Sequence, residues 1–297
     1  MDYRTDLAME RTVYPGGIGE GVSVQTQQDG DAMITWVRIH TPAAAQRLGK
    51  AEGVYWTMMH PDLPMLTPEE RIGIAVQVAQ TLRIMLPPKG DVLILGLGNR
   101  RMTADALGDR VVSGVLVTRH MEACSQGKLR GVCAMSPGVL GVTGVETAEL
   151  ALGLVQRLKP AAVLVVDALA AMETDHIGTT IQVTDTGIHP GSGVGNHRQG
   201  ITPDLLHIPV IAMGIPMVVY ASTIVRDALK GILSAEKSEE DAHEMAEQLV
   251  GRPKSDLVVT PRNIDELVAG LADTLALAIN CALQPNYSVD ELTHLLH

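Results

Sequence analysis

Four short apolar runs without a charge, set between longer amphipathic segments, restrict this chain more than any other feature. They are residues 92–95 (VLIL), 161–166 (AAVLVV), 209–213 (PVIAM) and 257–260 (LVVT). Runs of this length without polar alternation read as strands covered on both faces. The longer periodic segments, about 103–115, 146–158, 217–233 and 262–282, read as helices. Such strands alternating with helices call for an α/β fold, a mostly parallel sheet flanked by helices. A further helix is expected over 67–86, with Thr67 as N-cap, Pro68 in the first turn, Glu69 and Glu70 on the positive end of the dipole, and Pro87–Pro88 as the stop. Residues 22–40 alternate on either side of Asp29-Gly30, a hairpin signal, and with the irregular residues up to 66 they form a small N-terminal β annex (22–66).

Composition narrows the function classes. The 297 residues carry 23 Lys and Arg against 34 Asp and Glu, a formal charge of −11. So acidic a chain lacks the basic footprint of a nucleic-acid binder, and with no Phe and two Trp it lacks stacking platforms as well. Cys124, Cys133 and Cys281 show no CxxC spacing, which argues against a disulfide framework or zinc finger and suits a reducing compartment. The N-terminus is charged and has no apolar core of a signal peptide. Residues 208–225 hold no charge, but Pro209, Gly214 and Pro216 interrupt them, so strand, tight turn and helix start are expected rather than a membrane span. Residues 235–255 read as a charged, solvated insertion.

In an open parallel sheet, chemistry collects beyond the carboxyl ends of the strands. After 92–95 comes GLGNRRMTADALGDR, with Gly96, Gly98 and Asn99 in a tight turn and Asp105 near a helix start, where a dipole-complementing carboxylate is the plain alternative. After 161–166 comes Asp167, at the strand's carboxyl end among small apolar neighbours, where desolvation should raise its pKa; capping the next turn is its plain alternative. Should the two strands be close, Asp105 and Asp167 form a pair that cannot easily ionise together, so one holds a proton while the other acts as base toward water. SPGVLGVTGVET (136–147) could offer backbone N–H groups at Gly138, Gly141 and Gly144; without a GxxxxGK[ST] and with no Lys or Arg over 135–150, phosphate binding is disfavoured. DTGIHPGSGVGNHR (185–198) carries His189, Gly191 and His197, and Asp185 and His189 could in principle join Asp167 around a metal, but the spacing is not a strong metal pattern.

Together these segments resemble the germination proteases of bacterial endospores. The matching stretches are RTDLAMER (4–11), GLGN and TADALG (96–108), LVTRH (116–120), SPGVLGVTGVET (136–147), DALAA (167–171), TIQVTDTGIHPGSGVGN (180–196) and IPVIAMGIPMVV (208–219). The resemblance implies an atypical aspartic peptidase with a fold like that of the hydrogenase-maturation peptidases, no cofactor and no metal. Its two catalytic aspartates map onto Asp105 and Asp167; where the family usually has TPDALGP, Ala104 and Asp109 stand here in place of the two prolines. It further implies a homotetramer in the cytoplasm of the forespore and spore core, made as a zymogen, with small acid-soluble spore proteins as substrates and no direct contact with nucleic acid or membrane. Such enzymes cut after an acidic residue at sites like T-E-[FI]-A-S-E, and Thr5-Asp6-Leu7-Ala8-Met9-Glu10 is this chain's version. Self-cleavage between Asp6 and Leu7 follows, with residues 1–6 as propeptide and 7–297 as a single peptidase domain. Substrate-binding or oxyanion roles fall to Gly96, Gly98, Asn99, Gly138, Gly141, Gly144, His189 and Gly191. Two other readings stand beside this one: a metal-dependent maturation-type peptidase using Asp105, Asp167 and His189, and a non-catalytic ligand-binding α/β module.

Overall fold

The structure is a computed structural model that describes residues 5–13, 17–121, 128–190, 198–232, 245–246, 249 and 257–296. Its strands are β1 (Val22–Asp29), β2 (Ala32–Ile39), β3 (Gly53–Met59), β4 (Val92–Gly96), β5 (Val132–Met135), β6 (Ala162–Ala171), β7 (Thr180–Thr184), β8 (Val210–Tyr220) and β9 (Val258–Val259). The helices among the described residues are α1 (Ala8–Val13), α2 (Pro42–Leu48), α3 (Pro68–Met85), α4 (Leu107–Ser113), α5 (Leu140–Thr143), α6 (Thr147–Leu158), α7 (Pro203–Leu206), α8 (Ala221–Ile232), α9 (Ile264–Leu283) and α10 (Val289–Leu296).

All nine strands join one sheet in the order β1-β2-β3-β7-β8-β6-β4-β5, with β9 on β8. β5, β4, β6 and β8 form a parallel block, and β1, β2, β3 and β7 extend it with antiparallel pairings. The N-terminal annex is therefore the outer part of the same sheet, joined to it where β3 pairs with β7. Alternation along the parallel strands divides the core. Val92, Ile94, Ala162, Leu164 and Val166 pack with α3 and α9 on one face, while Leu93, Leu95, Val163 and Val165 pack with Ala148, Ala151 and Val155 of α6 on the other.

The helix expected over 67–86 is α3, and Thr67 and Glu70 form a full capping box. Four expectations need correction. Residues 41–66 are not irregular: Thr41 caps α2, and β3 pairs with β2 and β7. The uncharged stretch at 208–225 does not turn at Gly214; β8 runs through to Tyr220, and Pro216, which has no N–H to give the ladder, sits beside the bulge where β6 and β8 shift register. The helix expected from 217 accordingly starts at Ala221. The run at 257–260 is a two-residue, exposed, antiparallel strand, too short to be a core strand. Helix α9 is long and apolar enough to cross a membrane, but it lies mostly buried against α3 and α4. Its buried Asn280 is satisfied by Leu116 N–H (2.8 Å) and Gly114 O (3.0 Å).

Candidate active site

The site forms where β4 stops short of β6. Gly96, the last residue of β4, pairs with Val166; Leu97 N–H still donates to Val166 O (2.8 Å), and the chain then leaves the sheet. β6 continues, and its next residue, Asp167, pairs with Gly214 of β8 on one side but has no strand partner on the β4 side, where the chain has turned into the 97–106 loop. That loop folds tightly on itself. Gly98 has φ +103°, and a Cβ there would stand 1.9 Å from Asp105 O, so only glycine fits. The Asn99 N–H donates to Asp105 Oδ2 (2.7 Å), aiming the carboxylate inward. Asp105 and Asp167 line one cavity of about 290 Å³, together with Gly98, Gly138, Pro190 and Arg198.

Both carboxyls are pushed toward their protonated forms. Asp167 is 7% exposed; burial raises its pKa well above the ordinary value, and the nearby charges of Asp105 and then Asp6 raise it further, against the N–H of Ala168. Burial also raises Asp105, opposed by the Asn99 N–H and the charge of Arg198. Asp167 was expected at the carboxyl end of its strand; in fact β6 extends to Ala171, and Asp167 is left beside the loop because its neighbour β4 is shorter.

A segment of the chain's own N-terminus lies across this site. Asp6 lines the cavity of the two aspartates and also an adjoining one of about 520 Å³ that contains Lys50, Gln182, His189 and Arg198. The segment pairs with the far end of β6: Asp6 N–H donates to Ala170 O (2.9 Å) and Ala170 N–H to Asp6 Oδ2 (2.8 Å). Leu7 is fully buried against Leu169, Ala171 and Val219, and Ala8 packs on Val37, Ile39 and Tyr55 of the antiparallel extension. Glu10, 2% exposed, accepts from Met172 N–H (2.9 Å), Glu173 N–H (3.0 Å) and Thr5 Oγ1 and meets His176 Nδ1 at 2.6 Å. The carbonyl oxygen of Asp6 receives Lys50 Nζ (3.0 Å) and Gln182 Nε2 (3.0 Å).

The glycines and His189 divide into groups. Gly98 and Gly138 line the cavity of the aspartates. Gly96 serves packing: a Cβ there would meet Gly108 O at 2.1 Å, where α4 crosses β4. The Asn99 N–H is already bonded to Asp105. Gly141 and Gly144 lie exposed on α5 and its cap, outside the residues that line either cavity. His189 lies in the larger cavity, with Asp6 and Lys50; Gly191 and His197 fall outside the described residues. Asp185 accepts from Val54 N–H (2.8 Å) at the β3–β7 seam, and among the described residues no three His, Cys, Asp or Glu side chains gather as a metal-ligand set. Lys50, Gln182, Arg198 and His176 were not singled out from the sequence. Only Gln182 carried a local signal there, an amide inside an otherwise small and apolar strand, since a buried amide must find partners.

Two carboxyls of raised pKa that line one cavity with Asp6 can share a proton and activate water, which is chemistry a hydrolase can use. Residues 16–250 match the family described as Germination protease. The Germination protease of Caldanaerobacter subterraneus subsp. tengcongensis is 39% identical, covering 99% of this chain and 98% of the relative. That of Clostridium perfringens (strain ATCC 13124) is 36% identical with 99% of each covered, and that of Bacillus cytotoxicus 33% identical with 97% and 95% covered. Among solved structures, the [NiFe] hydrogenase maturation protease HycI from Thermococcus kodakarensis KOD1 aligns with a TM-score of 0.34 and 18% identity, covering 67% of this chain and 98% of that one. The chain belongs to the germination protease family and is thus a peptidase of spore germination.

Proposed function

We propose that this chain is an aspartic-type endopeptidase that opens the degradation of small acid-soluble, DNA-protecting spore proteins at germination, and that its own N-terminus is its first substrate. Asp105 and Asp167 share one proton; the ionised partner takes a proton from water as the water attacks, and the protonated partner later supplies one to the leaving amine. The cut falls after an acidic residue, and in the zymogen between Asp6 and Leu7. The observation that carries this reading is the position of Asp6, which lines the same cavity as both aspartates. The residues that follow it match the substrate pattern, and the apolar Leu7 and acidic Glu10 each occupy a buried place. Work in the forespore and spore core as a homotetramer belongs to the same proposal, and light scattering of the purified chain tests the assembly.

The decisive experiment incubates the full chain, and its Asp105→Asn and Asp167→Asn variants, with a purified small acid-soluble spore protein. Fragments are read by mass and the enzyme's N-terminus by sequencing. Cleavage after an acidic residue and an enzyme beginning at Leu7, both lost in the folded variants, support the proposal. Normal turnover in either variant overturns it.

A further inference from the structure

Amide hydrolysis needs more than an activated water. When water adds to the carbonyl carbon, the π electron pair moves onto oxygen, and donors already aimed at that oxygen stabilise the charge. Among the described glycine-loop groups, the Asn99 N–H is committed to Asp105 and Gly141 and Gly144 line neither cavity, so none of these three presents a donor to Asp6. Two side chains from elsewhere do. Lys50, just past the C-cap of α2, turns Nζ onto Asp6 O (3.0 Å) and Thr5 O (2.9 Å). Gln182, in the middle of β7, places Nε2 on Asp6 O (3.0 Å) and accepts Ala8 N–H at Oε1 (2.8 Å), so one amide bridges the two sides of the Asp6–Leu7 bond.

We infer that Lys50 and Gln182 are the oxyanion-stabilising pair of this peptidase, acting on the carbonyl oxygen of the residue before the cut. The inference rests on the reading that the Asp6–Leu7 bond is cleaved. Three features support it. Both donors lie on the side of Asp6 that opens to the larger cavity, while the two aspartates line the smaller one, so base and oxyanion donors approach the peptide from different cavities. Both donors already stand 3.0 Å from the carbonyl oxygen, on the atom where the negative charge would develop. And burial holds the Lys50 ammonium below its ordinary pKa, partly offset by Asp6. Turning a cation onto two neutral carbonyls is costly in the ground state, and the cost falls once negative charge develops at Asp6 O.

The step balances without a further reactant. Water oxygen bonds to the Asp6 carbonyl carbon and its proton passes to the ionised carboxylate of the pair. The carbonyl electron pair rests on oxygen between Lys50 Nζ and Gln182 Nε2. Its return breaks the bond to Leu7 nitrogen, which takes the proton of the other carboxyl. The remaining hydroxyl proton passes to the released amine, so the products are the α-carboxylate of Asp6, paired with Lys50, and the α-ammonium group of Leu7, and the aspartate pair again holds one proton.

The test uses the full-length chain at mildly acid pH, with Asp105→Asn as the inactive control. Release of residues 1–6 is followed by mass and N-terminal sequencing, and a peptide containing Thr-Asp-Leu-Ala-Met-Glu is assayed in trans. Lys50→Met and Gln182→Glu should each slow release by ~10²–10³-fold, and Lys50→Arg should recover most of the Lys50→Met loss. In trans the loss should fall in kcat, with KM little changed. Gln182→Glu keeps the acceptor for Ala8 N–H but loses the donor while ionised, so its rate relative to wild type should rise on acidification, when the carboxyl regains a proton to donate. Folded variants that process at the wild-type rate, or a loss confined to KM, overturn the inference and leave the self-cleavage reading intact. A wild-type chain that leaves Asp6–Leu7 uncut both in itself and in the peptide overturns that reading and the inference with it. If Gln182→Glu fails to fold, the Lys50 pair of variants decides by the same criteria.

Discussion

Glu10 and His176 meet at 2.6 Å between Oε1 and Nδ1, in contact with the backbone N–H groups of Met172 and Glu173. A carboxylate 2% exposed is thus surrounded by donors that come from the turn after β6. This receptacle anchors the N-terminal segment; if the Asp6–Leu7 bond is the one cut, as proposed, an acidic residue at the same distance from the cut in a substrate is expected to use it.

Removing that carboxylate should therefore weaken docking more than a surface change would. Glu10→Ala leaves Met172 and Glu173 N–H without their acceptor, at a cost of about 1–3 kcal/mol. The expected outcomes are faster hydrogen exchange over residues 5–13 and slower self-processing, both read by mass spectrometry. In trans, a peptide with Ala in place of its Glu should show a raised KM. Unchanged exchange and unchanged KM would show that the receptacle does not read this residue.

Replacing either central aspartate should abolish catalysis and spare the fold. Asp105→Asn and Asp167→Asn each remove one half of a proton-sharing pair, and a loss of ~10³-fold or more is expected. Asn at 167 can still accept the Ala168 N–H that Asp167 Oδ1 accepts now at 2.9 Å. Circular dichroism and turnover, measured on the same preparations, check both halves of the statement.

The same substitution makes a prediction about stability. The folded pKa of Asp167 is raised above its unfolded value, so the native state holds the proton more tightly. Stability is then lost as pH rises from the ordinary carboxylate value, 3.8, through the folded pKa. Asp167→Asn removes the ionisable group, so its Tm should exceed that of the wild type near neutral pH, and the gap should close on acidification. A gain of ~1 kcal/mol would appear as a rise of about 2 °C in a chain of this size. A lower Tm for the variant across the pH range would contradict the burial argument.

Gly98 should tolerate no side chain. Its φ of +103° already disfavours an L residue, and a Cβ would lie 1.9 Å from Asp105 O. Gly98→Ala must displace the loop that aims Asp105, so activity should fall by ~10²-fold or more even where the chain stays folded. Cleavage rate against Tm separates the two effects.

Thiol reagents and chelators should leave activity in place. Among the described cysteines, burial raises the pKa of both Cys133 and Cys281, so little thiolate is present near neutral pH, and neither lines the cavity of the aspartates; Cys124 lies outside the described residues. Loss of turnover on chelation, restored by added metal, would favour the metallopeptidase reading.

Local physics made much of this molecule legible in advance. Continuous apolar runs at 92–95, 161–166 and 209–213 have to be buried on both faces, and they became the three neighbouring parallel strands β4, β6 and β8. Thr67, Pro68 and Glu70 carry a helix start in their own chemistry, and α3 begins there. Asp167 could be picked out because a carboxylate directly after a continuous apolar run is unusual, and Asp105 because it follows the glycine turn beyond the first such run. Other features depend on contacts between segments far apart in the chain, which no local pattern encodes. Gly214 and Pro216 signalled a turn, but pairing with β6 kept β8 extended, since strand neighbours outweigh local propensity. Lys50 looks like any loop lysine, and it reaches Asp6 only because α2 packs on β2 and β3. Gln182 meets the same carbonyl because β7 lies between β3 and β8. The sequence by itself determined the first hairpin, the cores of β4, β6 and β8, the principal helices and the two candidate aspartates, because burial and capping act within a few residues. Only the tertiary structure decided what surrounds the Asp6–Leu7 bond, because those contacts span from 44 residues, for Lys50, to 176, for Gln182, and arise only from the packing of the whole sheet.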